Sequence, residues 1–331
     1  MGWLARAIDA GHDHRNPLVD VADGLFVDVG DVKAKQSQFW VLLVLASTIA
    51  AGGVIGDSTP AVIGAMIVAP LATPIYGVAL ATAIGDAKRL RSAFLLLTAG
   101  IAANIAIGIL MGFLSSQRMP LDANPQILGR TSPTVLDLVV ATATGIAGAF
   151  ALTRRDVSNI LAGVAIAISL VPVLAVVGIT LGAGRFDLAW GALVLFLTNV
   201  AAILIAGTVV FAAAGYQKEA AVHDSRVTKR ARRVIVVFVI ALLVPLTAAS
   251  VRTAMYENWV IASTQAAEEW VDGSEWTLDS VRVEGSDIVV TVLGPGDPPS
   301  LDDLRDGLQE QGVPDFVPVR LIEESGRTTD L

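Results

Sequence analysis

Polar side chains that stand inside long apolar runs are the residues of this sequence best placed to do chemistry. Asn104 and Asn199 lie within two such runs, and Asp137 lies at the start of a third. A buried amide is costly unless it is hydrogen bonded, and a carboxyl group at a membrane span marks a functional candidate, whose natural partner here is Arg130. Such groups can bind an ion or a polar solute. The structural alternatives are hydrogen bonds between helices for the amides and a hydrated interfacial position for Asp137.

Two polar clusters, at residues 57–59 and 156–159, each precede an apolar run. A side-chain oxygen there can cap the helix that follows, and Pro60 suits the first turn of the first such helix. The same polar helix starts can instead line an access route or a substrate site. The cluster residues are Asp57, Ser58, Thr59, Asp156, Ser158 and Asn159.

Prolines inside the apolar runs predict interrupted helices. Pro70 lies about ten residues, or ~15 Å at about 1.5 Å per residue, into the second run. Pro74 follows it, and Pro172 lies in the matching stretch of the fifth run. A proline at depth frees a backbone carbonyl, which hydrocarbon tolerates only where protein or a water-filled cavity satisfies it. Interrupted helices at matching positions of two halves are typical of transporter sites, with packed kinks as the alternative.

We therefore expect one pathway for an ion or solute, lined from both halves of the chain. Asp137 is the carboxylate that could carry a coupling proton, whereas freed carbonyls and hydroxyls could bind a coupling sodium ion. The candidate residues are Asp57, Ser58, Pro70, Thr73, Pro74, Asn104, Arg130, Ser132, Asp137, Asp156, Ser158, Asn159, Ser169, Pro172 and Asn199.

Enzyme chemistry is poorly supported. The three histidines, His12, His14 and His223, all lie outside the apolar runs, and there is no cysteine, HExxH motif or Walker A motif. A solvated polar lead explains His12 and His14 better than a metal site does. We expect no enzyme activity and no cofactor beyond a coupling ion.

Long apolar helices must position the candidate residues. The chain has 331 residues, of which 54% are apolar and 16% charged, and its mean hydropathy is +0.65. This composition is that of a membrane protein. Seven runs approach or exceed the roughly 18–20 residues that span hydrocarbon. They are Phe39–Ile55, Ala61–Ile84, Ala93–Leu114, Val135–Leu152, Ile160–Leu181, Leu188–Ala214 and Val234–Val251.

Charge predicts how these spans are oriented. A seven-span arrangement puts 15 Lys and Arg residues on one side and only Arg118, Arg130, Arg185 and Arg252 on the other. Basic loops are retained in the cytoplasm, so the N-terminus is expected inside and the cell membrane is the expected location. Residues 257–331 carry 17 acidic residues and 4 Arg, a net charge of −13, and seven crossings place them outside.

An internal repeat is the main architectural signal. Asp57–Gly64 aligns with Asp156–Gly163 at a spacing of 99 residues, and Asn104 aligns with Asn199 at a spacing of 95. Three helices per copy is an odd number, so the second copy must enter the membrane from the opposite side. The predicted fold is an all-α polytopic membrane bundle of two inverted three-helix repeats and a seventh helix. Compositional likeness between small-residue helices is the alternative.

Segment boundaries follow from these patterns. Residues 1–36 form a cytoplasmic lead, 37–215 the transmembrane core with repeats at 37–115 and 131–214, 216–233 a basic linker and 234–256 the seventh helix. Residues 257–331 predict a small extracytoplasmic α+β domain in the order helix, strand, strand, helix, strand. Ser300 should cap its last helix, which has Leu301, Leu304 and Leu308 on one face, and Phe316–Ile322 should form its last strand.

Three motifs resemble those of the domain of unknown function 389 family, a group of hydrophobic bacterial and archaeal membrane proteins. They are the segments Ser58–Ile75, Arg130–Leu138 and Gly163–Pro172. The resemblance marks Pro70, Pro74, Arg130, Ser132, Asp137 and Pro172 as motif positions. It departs from the family pattern at Val173, where a second proline is usual, and it implies a membrane protein without implying a substrate.

The sequence thus predicts a secondary transporter for a small polar solute or ion, working by alternating access between the repeats. A passive channel is the first alternative. The second is a non-transporting sensor or scaffold that acts through the outer domain. The expected partners are the lipid bilayer and the solute, with no nucleic acid, and small-residue helix faces also suit a homodimer.

Overall fold

The computed structural model describes residues 15–115, 121–131, 133–156, 170–220, 255–256, 258–284, 287–296, 298–314 and 317–324. The chain divides into two compact units, Met1–Ala248 and Ala249–Leu331. The described part of the first unit is helical. The second unit combines helices with a small sheet.

The helices of the first unit follow the apolar runs. They are α1 (Leu18–Leu25), α2 (Val32–Ile55), α3 (Thr59–Val68), α4 (Ala72–Ile84), α5 (Ala87–Ser115), α6 (Pro125–Leu128), α7 (Val135–Thr153), α8 (Val171–Gly182), α9 (Phe186–Ala213) and α10 (Tyr216–Glu219). Helices α2 and α5 begin six or seven residues before their apolar runs. Hydropathy predicts only the part of a helix that lies in hydrocarbon, and the preceding turns carry Lys and Arg.

Fewer than seven spans lie in the described residues. Helices α2, α5, α7 and α9 are long and apolar enough to cross a membrane, and α3 with α4 forms a fifth candidate bent by 45°. The fifth predicted run is described only from Leu170, where α8 has 12 residues. The seventh run lies outside the described residues, and so does the basic linker from residue 221 onwards.

Large apolar side chains cover the outward faces of the long helices. Examples from different helices are Leu45, Phe113, Val139 and Trp190, which are between 51% and 70% exposed. Water disfavours so large an apolar surface, whereas lipid accepts it. This surface is that of a membrane protein.

Helices α4 and α8 lie inside the bundle rather than on its surface. Every residue from Pro74 to Ala81 of α4 and from Val171 to Thr180 of α8 is buried. Helix α4 contacts α1, α5 and α9, while α8 contacts α2, α5 and α9. Each short helix therefore has packed neighbours around it instead of lipid.

Glycine allows the closest of these approaches. A Cβ atom added to Gly108 of α5 would lie 2.8 Å from the Cα of Gly178 and 2.9 Å from the carbonyl oxygen of Ala175, both on α8. On α9, a Cβ added to Gly207 would lie 3.2 Å from the side chains of Ala79 and Tyr76 on α4. Small residues thus let α5 pack on α8 and α9 pack on α4.

Several features of the bundle occur twice at the spacing of 99 residues. Helices α4 and α8 begin 99 residues apart, and so do α5 and α9. Gly85 and Gly184, also 99 apart, both have a φ of 79°, a left-handed conformation that favours glycine. Gly108 contacts Ala175 and Gly178, whereas Gly207 contacts Tyr76 and Ala79. Each residue of the first set is 99 positions from its equivalent in the second. At this spacing Asn104 corresponds to Ile203, so the packing does not follow the 95-residue alignment of Asn104 with Asn199.

Loop contacts define two ends of the first unit. At the basic end, Arg15 pairs with Glu219, the backbone N–H of Asn16 donates to the Thr153 oxygen at 2.8 Å, and Arg155 pairs with Asp20. This end joins the residues before α1 to the C-terminal end of α7 and to α10. Lys35, in the first turn of α2, bonds to Asp23 of α1 at 2.8 Å.

The opposite end is formed by different elements. Here Asn124 donates from Nδ2 to the oxygen of Val54 at 2.9 Å, and Gln126 donates from Nε2 to Oγ1 of Thr59 at 2.9 Å. The end of α2 and the start of α3 therefore lie together. Helix α2 runs away from the basic end, whereas α7 runs towards it.

The second unit is a three-stranded sheet with two helices. Its elements are α11 (258–271), β1 (Thr277–Glu284), β2 (Asp287–Leu293), α12 (Leu301–Glu310) and β3 (Val319–Glu324). Strand β2 lies in the middle, antiparallel to β1 and parallel to β3. The core contains Trp270, Trp276 and Val290. The predicted order of elements is confirmed.

Three details of the second unit differ from expectation. Leu304 and Leu308 are buried, but Leu301 is 56% exposed because it lies at the first position of α12, before the helix meets the sheet. Ser300 is the N-cap residue, yet its side chain makes no capping bond, and its carbonyl oxygen instead accepts from the Trp270 indole at 2.7 Å. The last strand begins at Val319 rather than Phe316, after Pro318.

The Gly108 contact yields a stability prediction. Gly108→Ala places a methyl group against the backbone of α8, which cannot move aside, so we expect destabilisation by about 2 kcal/mol. Thermal unfolding of the detergent-purified protein measures the change. Gly64→Ala is the matched control, because a Cβ at this α3 position meets nothing within 4 Å. Equal unfolding temperatures for the two variants would contradict the packing described.

Candidate functional site

The interruption between α3 and α4 is the first component of the candidate site. Helix α3 ends at Val68, and α4 begins at Ala72 on a new axis. Because Pro70 has no backbone N–H, the carbonyl of Met66 lacks its usual helical donor. Pro74 does not make a second break. It lies in the first turn of α4, where a helix needs no donor, and Thr73 donates from its backbone to the Pro70 oxygen at 3.2 Å.

Asn104 is the second component. It lies on α5 one turn after Gly100, whose added Cβ would lie 3.0 Å from Leu71 at the break, and one turn before Gly108, which meets Ala175 of α8. Its side chain is fully buried, and neither the amide nitrogen nor the amide oxygen has a hydrogen-bond partner in the described part of the chain. Asn104 therefore faces the region between the helix break and the first turns of α8.

Ser47 of α2 faces the same region. The Cβ added at Gly100 would also lie 3.4 Å from Leu43 of α2, and Ser47 follows Leu43 by one turn. Since α2 and α5 run in the same direction, Ser47 and Asn104 lie at the same height along the two helices. Ser47 is 1% exposed, and its hydroxyl has no partner among the described residues. The sequence analysis missed it because serine in a small-residue helix gives no distinctive pattern.

Asn199 lies on α9, near the contact of α9 with α7. It is 4% exposed, and its amide oxygen has no described partner. Ile203, one turn further along α9, packs against Gly145 of α7. No described contact joins Asn199 to Asn104, so the two amides are not placed in one cluster.

Residues 124–130 cover the start of α3 at the end opposite the basic end. Asn124 caps α6 and bonds to α2, while Gln126 bonds to Thr59, the first residue of α3. Arg130 donates from Nη1 to the carbonyl oxygen of Gln126 at 2.8 Å and to its side-chain oxygen at 3.0 Å. Burial lowers the pKa of Arg130. This places a half-buried guanidinium beside the first turn of the interrupted helix pair.

Asp137 is not the partner of Arg130. Its carboxylate accepts from the backbone N–H and the hydroxyl of Thr134, both at 2.8 Å, in a capping box at the start of α7. The expected pair with Arg130 is therefore wrong. A capping box satisfies two backbone donors at once, and the short Thr-to-Asp spacing provides it locally.

The remaining predicted residues have structural roles or lie elsewhere. Ser58 caps α3 by accepting from the Ala61 backbone at 3.4 Å, and the neighbouring Asp57 is exposed with a φ of 45°. Asp156 makes a bidentate pair with Arg154, and Pro172 lies buried in the first turn of α8. Ser132, Ser158, Asn159 and Ser169 lie outside the described residues.

The second unit contains a pocket of about 370 Å³. It lies between α12 and β3 and is mainly apolar, with Leu304, Val313 and Leu321 in its lining. Arg305 and Gln309 supply polar groups at the same pocket. The sequence analysis did not anticipate it, because the pocket depends on how far α12 stands from the strand that follows it.

Comparisons with known proteins agree with the resemblance noted in the sequence. Residues 66–205 match the family model described as domain of unknown function, DUF389. The chain is also 30% identical over 210 residues to an uncharacterized protein of Methanocaldococcus jannaschii, an alignment that covers 63% of this chain and 64% of the relative. No solved structure matches the chain.

Two buried asparagines give opposite stability predictions. Asn104→Leu removes unpartnered polar atoms, so we expect the free energy of unfolding to rise by ~1 kcal/mol or more. Asn124→Leu removes bonds to Val54, Gln126 and Ile127, so we expect a loss of about 2 kcal/mol. Thermal unfolding of both variants in one detergent measures the difference. A loss at Asn104 equal to that at Asn124 would mean that the Asn104 amide has a partner.

Proposed function

We propose that this member of the DUF389 family is a secondary transporter, with no enzyme activity, that moves a small polar solute or ion through the cell membrane. The amide of Asn104, which is fully buried beside the α3–α4 break and has no hydrogen-bond partner among the described residues, carries the proposal. Unpaired polar groups inside a bundle are expensive, and a bound solute would satisfy them. Interrupted helices near the middle of the membrane are where transporters bind substrate.

The twofold features of the bundle support an inverted repeat. In this interpretation α2, α3–α4 and α5 form one copy, and α7, the span ending in α8, and α9 form the other. Helix starts, left-handed glycines and glycine contacts recur at 99 residues. Helices α2 and α7 also run in opposite directions relative to the basic end. Rocking of one copy against the other would then expose the site to each side alternately.

The orientation is part of the proposal. The basic end contains Arg15, Lys88, Arg154 and Arg155, which favours a cytoplasmic position for that end. The end with Arg130 and Arg185 would then face outwards. Residues 234–256 would cross the membrane once more and leave the acidic second unit outside.

Coupling can be stated in terms of the same residues. A coupling proton would need Asp137 to leave its capping box with Thr134. A coupling sodium ion would instead need acceptor oxygens, such as the Met66 carbonyl that Pro70 leaves without a donor. Sodium coupling is favoured over proton coupling, because Asp137 is held in its capping box.

A sensor is the second candidate function, and the pocket of the second unit favours it. An apolar pocket of this size with two polar groups can hold a small molecule or a peptide segment. In a sensor, the spans would only anchor the second unit. A passive channel is a different case, because it would need neither the pocket nor a coupling ion.

Flux measurements separate the candidates. In reconstituted vesicles supplied with a panel of labelled ions and polar solutes, Asn104→Leu with Asn199→Leu should abolish saturable flux if the protein is a transporter. Removal of residues 257–331 should leave that flux largely intact. Thr98→Val is the matched control, since this exposed α5 hydroxyl bonds only within its own helix.

The opposite pattern would reject the transporter. Flux that does not saturate and ignores counter-ions would indicate a channel. Absence of flux, together with loss of a cellular phenotype when residues 257–331 are removed, would indicate a sensor.

The orientation is tested by cysteine labelling, because the chain contains no cysteine of its own. Lys88→Cys lies at the basic end and Leu128→Cys at the opposite end, and both positions are exposed. A membrane-impermeant maleimide should label Leu128→Cys in intact cells and Lys88→Cys only after permeabilisation. Labelling of both variants in intact cells would contradict the proposed topology.

A further inference from the structure

We infer that the solute carried by this transporter is a small anion. The inference rests on the proposed function and adds the charge of the substrate to it. Three observations contribute: a half-buried cation at the outward end, unfilled hydrogen-bond donors at the helix break, and the distribution of carboxylates along the described spans.

Arg130 supplies the cation. Its guanidinium bonds to Gln126, which in turn bonds to Thr59 at the first turn of α3. Among the described residues, no acid forms an ion pair with Arg130. A positive charge that is half buried and bonded only to neutral groups attracts anions to its surroundings. Helix α3 has ten residues, so the guanidinium stands roughly 15 Å from the break at 1.5 Å per residue.

The break itself offers donors. At the start of α4, Thr73 is bonded to Pro70 and Pro74 has no N–H, but no hydrogen bond is described for the backbone N–H groups of Leu71 and Ala72. Leu71 is the residue that contacts the Gly100 turn of α5, next to Asn104. The amide nitrogen of Asn104 adds two further donors at this level, and Ser47 adds a hydroxyl. Donors of this kind can surround an anion without a formal charge.

Carboxylates are missing where a cation would need them. Along the described helices α2 to α5 and α7 to α9, acidic residues occur only in first turns, at Asp137 of α7 and Asp187 of α9. Asp137 is held in its capping box, and Asp187 is paired with Arg185 at 2.8 Å. The partial charges of the α3 C-terminus and the α4 N-terminus meet at one break and offset each other. Arg130 then carries the full charge that decides whether the site favours a negative or a positive solute.

The full-length protein in vesicles of neutral lipid tests the inference. Flux of chloride, nitrate, acetate, sulfate and phosphate is compared with flux of sodium under a potassium diffusion potential set with valinomycin, and flux of potassium is measured in vesicles without the ionophore. We expect saturable flux of at least one of these anions. Arg130→Gln should reduce that flux about tenfold at subsaturating concentration, and Arg130→Lys should restore most of it.

Two further variants make the test specific. Arg185→Gln removes the same charge at the same end but from a surface pair, so it should leave anion flux unchanged. Asn104→Asp puts a negative charge at the break and should abolish anion flux. Thermal unfolding checks that each variant is folded, and Arg130→Lys serves as the folded reference if Arg130→Gln is unstable.

The outcomes are distinguishable. Saturable, Asn104-dependent flux of sodium or potassium without anion flux would overturn the anion inference and leave the transporter standing. Anion flux that neither Arg130→Gln nor Asn104→Asp reduces would also overturn it. No saturable flux of any ion or polar solute would remove the proposed function and the inference together.

Discussion

Hydrocarbon supplies no hydrogen bonds, and this constraint governs the arrangement of the whole first unit. A helix broken at Pro70 leaves backbone groups that lipid cannot satisfy, so the broken segment has to be enclosed by protein. The bundle meets this requirement by placing α4 and α8 inside and leaving α2, α5, α7 and α9 to face outwards with large apolar side chains. The enclosed polar groups are then available only to something that enters the bundle.

Close helix packing makes the enclosure possible. Gly108 and Gly178 bring α5 and α8 to backbone contact, and Gly207 lets α9 pack closely on the side chains of Tyr76 and Ala79 of α4. A larger residue at these positions would separate the helices and open the interior to lipid. The same contacts join helices that the proposed repeat assigns to different copies.

Local patterns predicted much of this structure, and long-range placement accounts for what they missed. The break at Pro70, the cap at Ser58 and the element order of the second unit follow from residues close in sequence, whereas the predicted capping bond of Ser300 does not form. The bond between Asp137 and Thr134 is equally local, because a Thr three residues before an acid fits a capping box, although Arg130 was predicted as the partner. Other features depend on neighbouring helices or strands, and no single-sequence pattern contains them. They are the exposure of Leu301, the lack of a described hydrogen-bond partner for Asn104, and the position of Ser47 beside Asn104. The 95-residue alignment of the asparagines shows how a shared residue type can shift a repeat by one turn.

The residues before α1 hold both halves of the first unit at the same time. Asn16 bonds to Leu152 and Thr153 at the end of α7, and its carbonyl oxygen accepts from the Tyr216 hydroxyl at 2.8 Å. Further along, α1 packs on α4, with the Leu25 backbone against Gly77. In the proposed transporter, a motion that separated the two copies at this end would have to break the Asn16 hydrogen bonds, whereas a motion that separated them at the far end would leave these bonds intact. The Asn16 contacts would then act as a pivot, and the far end of the bundle would open more easily than the end that contains Asn16.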